Sequence, residues 1–446
     1  MDRAELSSRH LADLHALAAE LGVPGYRKLG REELVEELLE RDAAGGKGGD
    51  GAAGGADEAA GVAGEAPVRR RRRRPRGGET RGEEAGEEPG AGGEAGPEET
   101  VAVSGVIDIL PQGHGFVRES GLDAGPDDVY VSASQIRRCE LRPGDLVSGP
   151  ARRPRRGERH RALIRVDEVN GAAPSEDRAA SFEEMTPVPP HRRIALSPGE
   201  DDVLVRAADL LAPRAHGQRV LVHSGPRSGR TTLLRQLAGA IAAAPDGPSV
   251  VVLLIDERPE EVTEWRRQLP GAEIAAAAAD LEAAEQVRHA ELALARAKRR
   301  AESGEDIVLL VDSLTRLGVA YGDPAAVKPV FGAGRELEEE GSGSLTVIAT
   351  VLSRTEDGDG ALEAVKTTES ATLVLDPELA AAGIVPSLDV ARCGVSGEEA
   401  LREPGELEAA RRLRAELSAL PAAEAAERLR ERIASSASDA ELLDSL

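Results

Sequence analysis

The spacing of apolar positions changes three times along the chain, and each change predicts a different kind of element. Between residues 4 and 42, Leu11, Leu14, Leu17 and Leu21 recur at the spacing of one helix face, and Leu34, Leu38 and Leu39 resume it after a Gly-Val-Pro-Gly break. A small helical module over 1–42 is expected. From 43 to 100 large apolar residues almost vanish, and Gly, Ala and Glu surround a run from Arg69 to Arg74. Such a segment cannot offset the entropy of ordering, so a disordered linker is expected.

At Val101 the texture becomes short β-like runs, VAVSGVIDIL, HGFVRE, DVYVS, DLVSGP and ALIRVDEV, punctuated by Gly, Pro and Asp. Five such strands predict a small closed β-barrel of the oligonucleotide-binding or cold-shock type over 101–172. After a proline-rich connector (Thr186 to Pro190), the runs RVLVHSG, VVVLLID, IVLLVD, LTVIATV and ATLVLD alternate with helical stretches. Nearly continuous apolar strands are those of a parallel sheet buried on both faces, so an α/β domain is expected over 173–405 and a helical tail over 406–446.

With 446 residues, 40% hydrophobic, the chain has room for several cores. No run of about 18 apolar residues occurs and the first residues carry no apolar signal segment, so a cytoplasmic location with no membrane partner is expected. Cys139 and Cys393 stand apart without neighbours at metal-ligand spacing, which argues against a disulfide framework or a zinc site. The net charge of −24 argues against a polyanionic partner only as an average. Arginine concentrates at 69–74 and again at Arg152, Arg153, Arg155, Arg156, Arg159 and Arg161, and local patches of this kind hold a polyanion on an acidic molecule.

The strongest chemical signal is VLVHSGPRSGRTTLL, Val220 to Leu234, a strand entering a Gly-containing loop and then a helix. Backbone N–H groups in such a loop, with the helix dipole behind them, cradle phosphate, and a Thr hydroxyl is available to Mg2+. ATP with Mg2+ is the expected ligand, held by Arg227, Ser228, Gly229, Arg230, Thr231 and Thr232. Two positions depart from a standard P-loop: Ser224 stands at the first glycine and Arg230 at the lysine. VVLLIDERPEEV then ends a strand on Asp256, Glu257 and Arg258, and IVLLVDSLTR ends another on Asp312, with Arg316 four residues on. Ligands of open parallel sheets lie beyond the carboxyl ends of the strands, so loop and acids share one crevice. Asp312, with Thr231, is read as the Mg2+ ligand and Glu257 as the residue polarising the attacking water. In the barrel, Phe116 and Tyr130 are one of three Phe and one of three Tyr in the chain and stand beside arginines, an arrangement that single-strand binding uses, the alternative being that both rings are core.

The stretches LLIDERPEEVTE, DSLTRL, VFGAGRELEEEGSGSLTVIAT and GPDDVYVSASQIRRCELRPGDLVSG together resemble the Rho-type bacterial transcription termination factors, from about Leu6 to Leu401 outside the linker. The resemblance implies a RecA-like motor domain in a homohexamer that binds single-stranded RNA, hydrolyses ATP and releases transcripts, with RNA polymerase as a further partner. It implies an RNA site at Phe116 with Arg118, Asp128, Tyr130, Glu158 and Arg159, His114 standing where a second aromatic is usual. It also places Lys366 to Ser370 in a second RNA-contacting loop and adds Gly217, Gln218 and Arg219 to the nucleotide contacts. Arg258 and Arg316 join Glu257 and Asp312 in the catalytic set. The departures cluster in the motor: Arg230 for lysine, Ser396 at the arginine finger with Arg392 nearby, Val385 at the adenine-stacking aromatic, and a short GDPAAVKPV between Tyr321 and Phe331. Two readings follow, a working RNA-dependent ATPase and a catalytically weakened paralogue that binds RNA and nucleotide in a regulatory role.

Overall fold

The computed structural model describes residues 100–174, 180–197, 202–353 and 355–446, together with Val35 and Leu38, which are helical and buried. The rest of the expected helical module and the linker up to residue 99 lie outside the described residues. Contacts divide the chain into Met1–Gly90 and Ala91–Leu446, and the description below concerns the second unit.

Its first part is a barrel of β1 (Thr100–Ile109), β2 (Gly115–Arg118), β3 (Val129–Val131), β4 (Leu146–Arg152) and β5 (Arg161–Leu163), with β6 (Glu168–Val169) appended to β4. The order β1-β2-β3-β5-β4 closes because β4 also pairs antiparallel with β1, from Thr100 opposite Arg152 to Val106 opposite Leu146. Alternation turns Val103, Ile107, Val117, Val129, Val131, Val147 and Leu163 inward into one core. Between β3 and β4, the short helix Ala133–Arg138 starts on a capping box in which Ser132 and Gln135 satisfy each other's backbone N–H.

The second part is a nine-stranded sheet. After β7 (Pro187–Val188) come β8 (Arg219–Ser224), β9 (Ser249–Glu257), β10 (Glu273–Ala278), β11 (Asp306–Asp312), β12 (Arg335–Leu337), β13 (Ser344–Leu352), β14 (Ala371–Leu375) and β15 (Gly394–Val395). The order β10-β9-β11-β13-β8-β14 is parallel throughout, β15 adds antiparallel to β14, and β12 bridges β13 and β7. Strand β10, EIAAAA, was not among the expected strands; its alanines carry little hydrophobic signal, yet they pack because the neighbouring strand β9 is apolar from Val250 to Ile255.

Alternate residues feed two cores. Val220, Val222, Val252, Leu254, Leu310 and Ile348 face the helices Val203–Leu211, Arg230–Ala242 and the three tail helices Pro404–Ser418, Ala422–Ala434 and Asp439–Asp444. Leu221, Leu253, Ile255, Leu309, Val311 and Val347 face the helices Ala283–Glu302 and Leu314–Tyr321. Each large apolar side chain removed from water in this way contributes about 1.5–3 kcal/mol, and the polar groups inside the strands, such as Thr346 and Thr350 of β13, are hydrogen-bonded.

The barrel rests on the helix Ala283–Glu302. Val106 and Leu122 join that side's core, Arg288 donates to Asp108 at 2.8 Å, and Arg142 pairs with Glu302 at 2.8 Å. The approach is closest at Gly144, where φ is +85° and a Cβ would lie 2.4 Å from the backbone nitrogen of Arg296. Gly144→Ala therefore combines left-handed strain with backbone overlap, at a cost of about 1–3 kcal/mol. The expected result is a lower thermal unfolding midpoint and faster amide exchange in the barrel; an unchanged midpoint would show that this contact does not hold the barrel to the helix.

Candidate functional site

On the barrel, β2 and β3 set Phe116 directly opposite Tyr130, with ring centroids 6.0 Å apart and edge-to-face. His114 lies 5.9 Å from Phe116 and 5.6 Å from Tyr130, and His160 lies 5.1 Å from Phe116 on the other side. Four rings thus form one platform, and Tyr130 is 37% exposed. His160 was not among the expected site residues. Its signal was available in GERHRALI, where it directly follows Glu158 and Arg159, but a lone histidine carries no aromatic-run signature. The platform opens on a cleft of about 710 Å³ whose wall includes Arg138, Arg152, Arg155 and Arg159.

Glu158 sits in that wall. Arg152 grips its carboxylate through two hydrogen bonds of 2.6 and 2.8 Å, and the backbone N–H of Arg155 donates a third at 2.9 Å. Led by the Arg152 contact, these hold its pKa down to about 2. Arg159 is exposed and, among the described residues, has no ion-pair partner.

Arg118 and Asp128 do not sit where the resemblance implies. Each is only 5% exposed. Arg118 forms ion pairs with Asp128 and with Asp108, and its guanidinium lies 5.7 Å from the Phe116 ring centroid. Both residues support the platform from below instead of lining the cleft: a buried charge has to be paired, and here the pairing uses both carboxylates. Lys366 is distant from the platform, exposed beyond the helix Glu356–Val365 and 3.1 Å from Glu363.

In the sheet domain, β8 leads through residues 225–229 into the helix Arg230–Ala242. Gly229 is the N-cap at φ +90° and no side chain caps the helix, so its first-turn N–H groups are open to a ligand. Ser228 folds the loop by donating to Gly225 O at 2.8 Å, and Ser387 donates to Ser228 O at 2.9 Å. This fits a phosphate group. Thr231 and Thr232 follow in the first turn.

Glu257 ends β9 and Asp312 ends β11, and Arg230 spans them, its Nε 3.1 Å from Asp312 Oδ1 and its Nη2 3.8 Å from Glu257 Oε1. Thr350, on the strand between β11 and β8, donates to Asp312 Oδ1 at 3.0 Å. Asp312 Oδ2 is buried without a hydrogen-bond partner, as are Nε and Nη1 of Arg230. That open carboxylate oxygen suits a cation such as Mg2+, while Arg230 already supplies one positive charge at the same carboxylate. Arg316 donates to Glu257 Oε1 at 2.5 Å. Burial pushes the Glu257 carboxyl above the usual range, and Arg316 opposes that rise. Arg258 is exposed at the start of the following helix, Pro259–Gln268.

Gly217, Gln218 and Arg219 do not join this group. They stand at the amino end of β8, a six-residue strand away from the loop, about 20 Å by strand rise. There Gly217 N donates to Thr346 Oγ1 at 2.9 Å, Gln218 is 1% exposed, and Arg219 donates to the carbonyls of Thr368 and Gly334. Ser396 lies at that end too, its N–H bonded to Ser370 O, whereas Val385 stands beside the loop with 54% of its surface exposed.

Comparison with known proteins accords with both halves. Residues 103–175 match the Rho termination factor RNA-binding domain, 205–327 the nucleotide-binding domain of the ATP synthase alpha/beta family, and 5–47 the Rho termination factor N-terminal domain. The transcription termination factor Rho of Chromobacterium violaceum is 38% identical over 373 residues, covering 78% of this chain and 88% of that protein. The chain belongs to the Rho termination factor family. Rho of Buchnera aphidicola subsp. Acyrthosiphon pisum is 40% identical, covering 70% of this chain and 79% of its own, whereas the Streptomyces lividans Rho, 39% identical, is covered over only 51% of its length. Among solved structures, an ATPase of the type III secretion system of pathogenic bacteria aligns over 64% of this chain and 93% of its own at 22% identity and a TM-score of 0.48. The nucleotide-binding domain is that of an ATP-using family, and no helix among the described residues is long and apolar enough to cross a membrane.

The Glu257–Arg316 pair gives a pH-dependent prediction. Arg316→Met removes the charge that offsets burial of Glu257, so its folded pKa rises further above the unfolded value of about 4.3. A raised carboxyl disfavours the ionised form in the fold, so the variant should lose stability relative to the parent as pH climbs from about 4.3 toward the new folded pKa, and level off above it. Arg316 keeps 27% of its side chain exposed, which limits the loss to roughly 1–3 kcal/mol at pH 8. Denaturant midpoints at pH 4 and pH 8 check this; equal losses at both would remove ionised Glu257 from the explanation.

Proposed function

We propose that this chain is an RNA-dependent ATPase that terminates transcription in the cytoplasm, acting as a homohexamer on nascent single-stranded RNA and, through it, on RNA polymerase. The observation that carries the reading is the convergence of Glu257 and Asp312 on the uncapped loop at Gly229, in a chain whose barrel presents the Phe116 and Tyr130 platform.

Nucleotide phosphates are held by the N–H groups of residues 227–232 and by whichever cation the loop supplies. Asp312, through its free Oδ2, and the Thr231 hydroxyl hold Mg2+, which neutralises charge on the phosphate oxygens when bound. Glu257 accepts a hydrogen bond from water and orients it toward the terminal phosphate. Arg316 fixes that carboxylate, and its charge opposes the rise that burial gives Glu257. Arg258, exposed at the helix start, is free to reach phosphate or a neighbouring subunit. On the barrel, bases stack on Phe116, Tyr130, His114 and His160, while Arg159 and its neighbours neutralise the backbone. Lys366 forms a second RNA contact away from the barrel.

The ion pair between Arg230 and Asp312 is the one observation that favours the second reading, a catalytically weakened paralogue, because it occupies the carboxylate that a divalent cation needs. ATP hydrolysis with and without pyrimidine-rich RNA separates the two. Stimulated phosphate release that is abolished in Glu257→Gln, with nucleotide binding retained, is the expected result; RNA binding with no turnover selects the paralogue. Phe116→Ala should weaken binding of a short pyrimidine RNA about tenfold, the loss of one stacked base. Unchanged affinity in a filter-binding assay would place the RNA elsewhere.

A further inference from the structure

Beside the loop lies a cleft of about 410 Å³, bounded by Ser228, Gly229, Gln236, Val385, Ser387 and Arg430. Three features of it are unexplained by the phosphate site. Val385 is 54% exposed, although Pro386, Ser387 and Leu388, which follow it, are buried. Gln236, on the loop's own helix two turns from Gly229, carries a buried Oε1 with no hydrogen-bond partner. Arg430 is exposed and makes no ion pair or side-chain hydrogen bond among the described residues.

Arg430 is nevertheless firmly placed. It belongs to the tail helix Ala422–Ala434, which buries Ala425, Leu429 and Ile433 in the sheet core. The end of that helix is clamped by Arg206, whose guanidinium donates to the carbonyls of Ile433 and Ser436 at 3.0 Å and pairs with Asp439 at 2.7 Å. An arginine held on a rigid helix, with its guanidinium unengaged at the edge of a cleft, is suited to cover a flat aromatic ligand. The same cleft is lined by the exposed aliphatic Val385, which offers contact area without a π-face. The Gln236 amide, on the same cleft and with its Oε1 open to a hydrogen bond, is suited to edge recognition.

We propose that Arg430 forms one wall of a nucleobase site, its guanidinium stacking on a purine whose other face rests on Val385, with the Gln236 amide bonding the base edge. The proposal rests on the loop binding nucleotide phosphates. The tail helix is then part of the nucleotide site as well as of the core, and base preference is set by a residue nearly two hundred positions from the loop.

Isothermal titration of the full chain with ATP, CTP and inorganic tripolyphosphate tests this. The parent should prefer ATP to CTP, Arg430→Ala should weaken ATP about tenfold and erase that preference, and tripolyphosphate should bind both chains equally. Arg430→Lys, which keeps the charge and loses the planar face, should behave like Arg430→Ala, and Gln236→Leu should cut ATP affinity without touching tripolyphosphate. Three outcomes overturn the proposal: no change in Arg430→Ala, an equal loss for tripolyphosphate, or full rescue by lysine, the last two marking a phosphate contact instead. A parent chain that binds neither ATP nor tripolyphosphate would sink the phosphate reading of the loop itself, and this proposal with it.

Discussion

A parallel sheet buried on both faces leaves polar chemistry only its strand ends, and most of the sheet domain follows from that constraint. Strands β9, β11, β13 and β8 are apolar along nearly their whole length, so charged and hydroxyl groups collect at two opposite edges. At the amino edge they bond one another: Arg192 pairs with Asp306 at 2.8 Å, Ser344 donates to Asp306 at 2.6 Å, and His216 meets Ser344 at 3.1 Å. At the carboxyl edge Asp312 Oδ2, Arg230 Nη1 and Gln236 Oε1 are buried with no partner. Buried polar groups left open cost free energy unless something else completes them, but Gln218 Oε1 at the amino edge is open too, so it is the convergence of Asp312 and Arg230 on the uncapped loop that marks the ligand side.

The same reasoning resolves the conflict between a net charge of −24 and a polyanionic partner. Charge is sorted by depth and by domain. On the barrel Arg152, Arg155 and Arg159 stay near the surface and line the aromatic cleft, whereas Arg118 is buried behind Phe116. A guanidinium this buried is tolerable only with both Asp108 and Asp128 beside it. Asp108 in turn receives Arg288 from the helix Ala283–Glu302, so the support beneath the aromatic platform and the seating of the barrel on the sheet domain share one carboxylate.

Legibility in the sequence tracked how local each feature is. Barrel and sheet strands were readable because alternation and apolar runs are local; β10 was not, because four alanines become a strand only beside β9. The acids Glu257 and Asp312 were readable because strand ends collect them. Arg118 and Asp128 looked like surface contacts until barrel closure showed which way the strands turn them. Gly217 to Arg219 were misplaced for the converse reason: a strand carries its two ends to opposite edges, and no residue type announces that separation. His160 and Arg430 come near the sites from segments whose own sequence carries no motif.

Arg230 is where local and global requirements meet. Two buried carboxylates, Glu257 and Asp312, end neighbouring strands, and burying both together calls for a cation beside them. Arg230 provides it, with Arg316 on the outer side of Glu257. A guanidinium is longer and flatter than an ammonium and spreads its charge over a fork, which is why it reaches both acids from the first residue of the helix. Any phosphate entering the loop therefore competes with Asp312 and Glu257 for the same side chain. Binding must draw Arg230 toward the ligand while the acids gain a substitute charge, so phosphate affinity, cation affinity and the ionisation of Glu257 are linked through one residue.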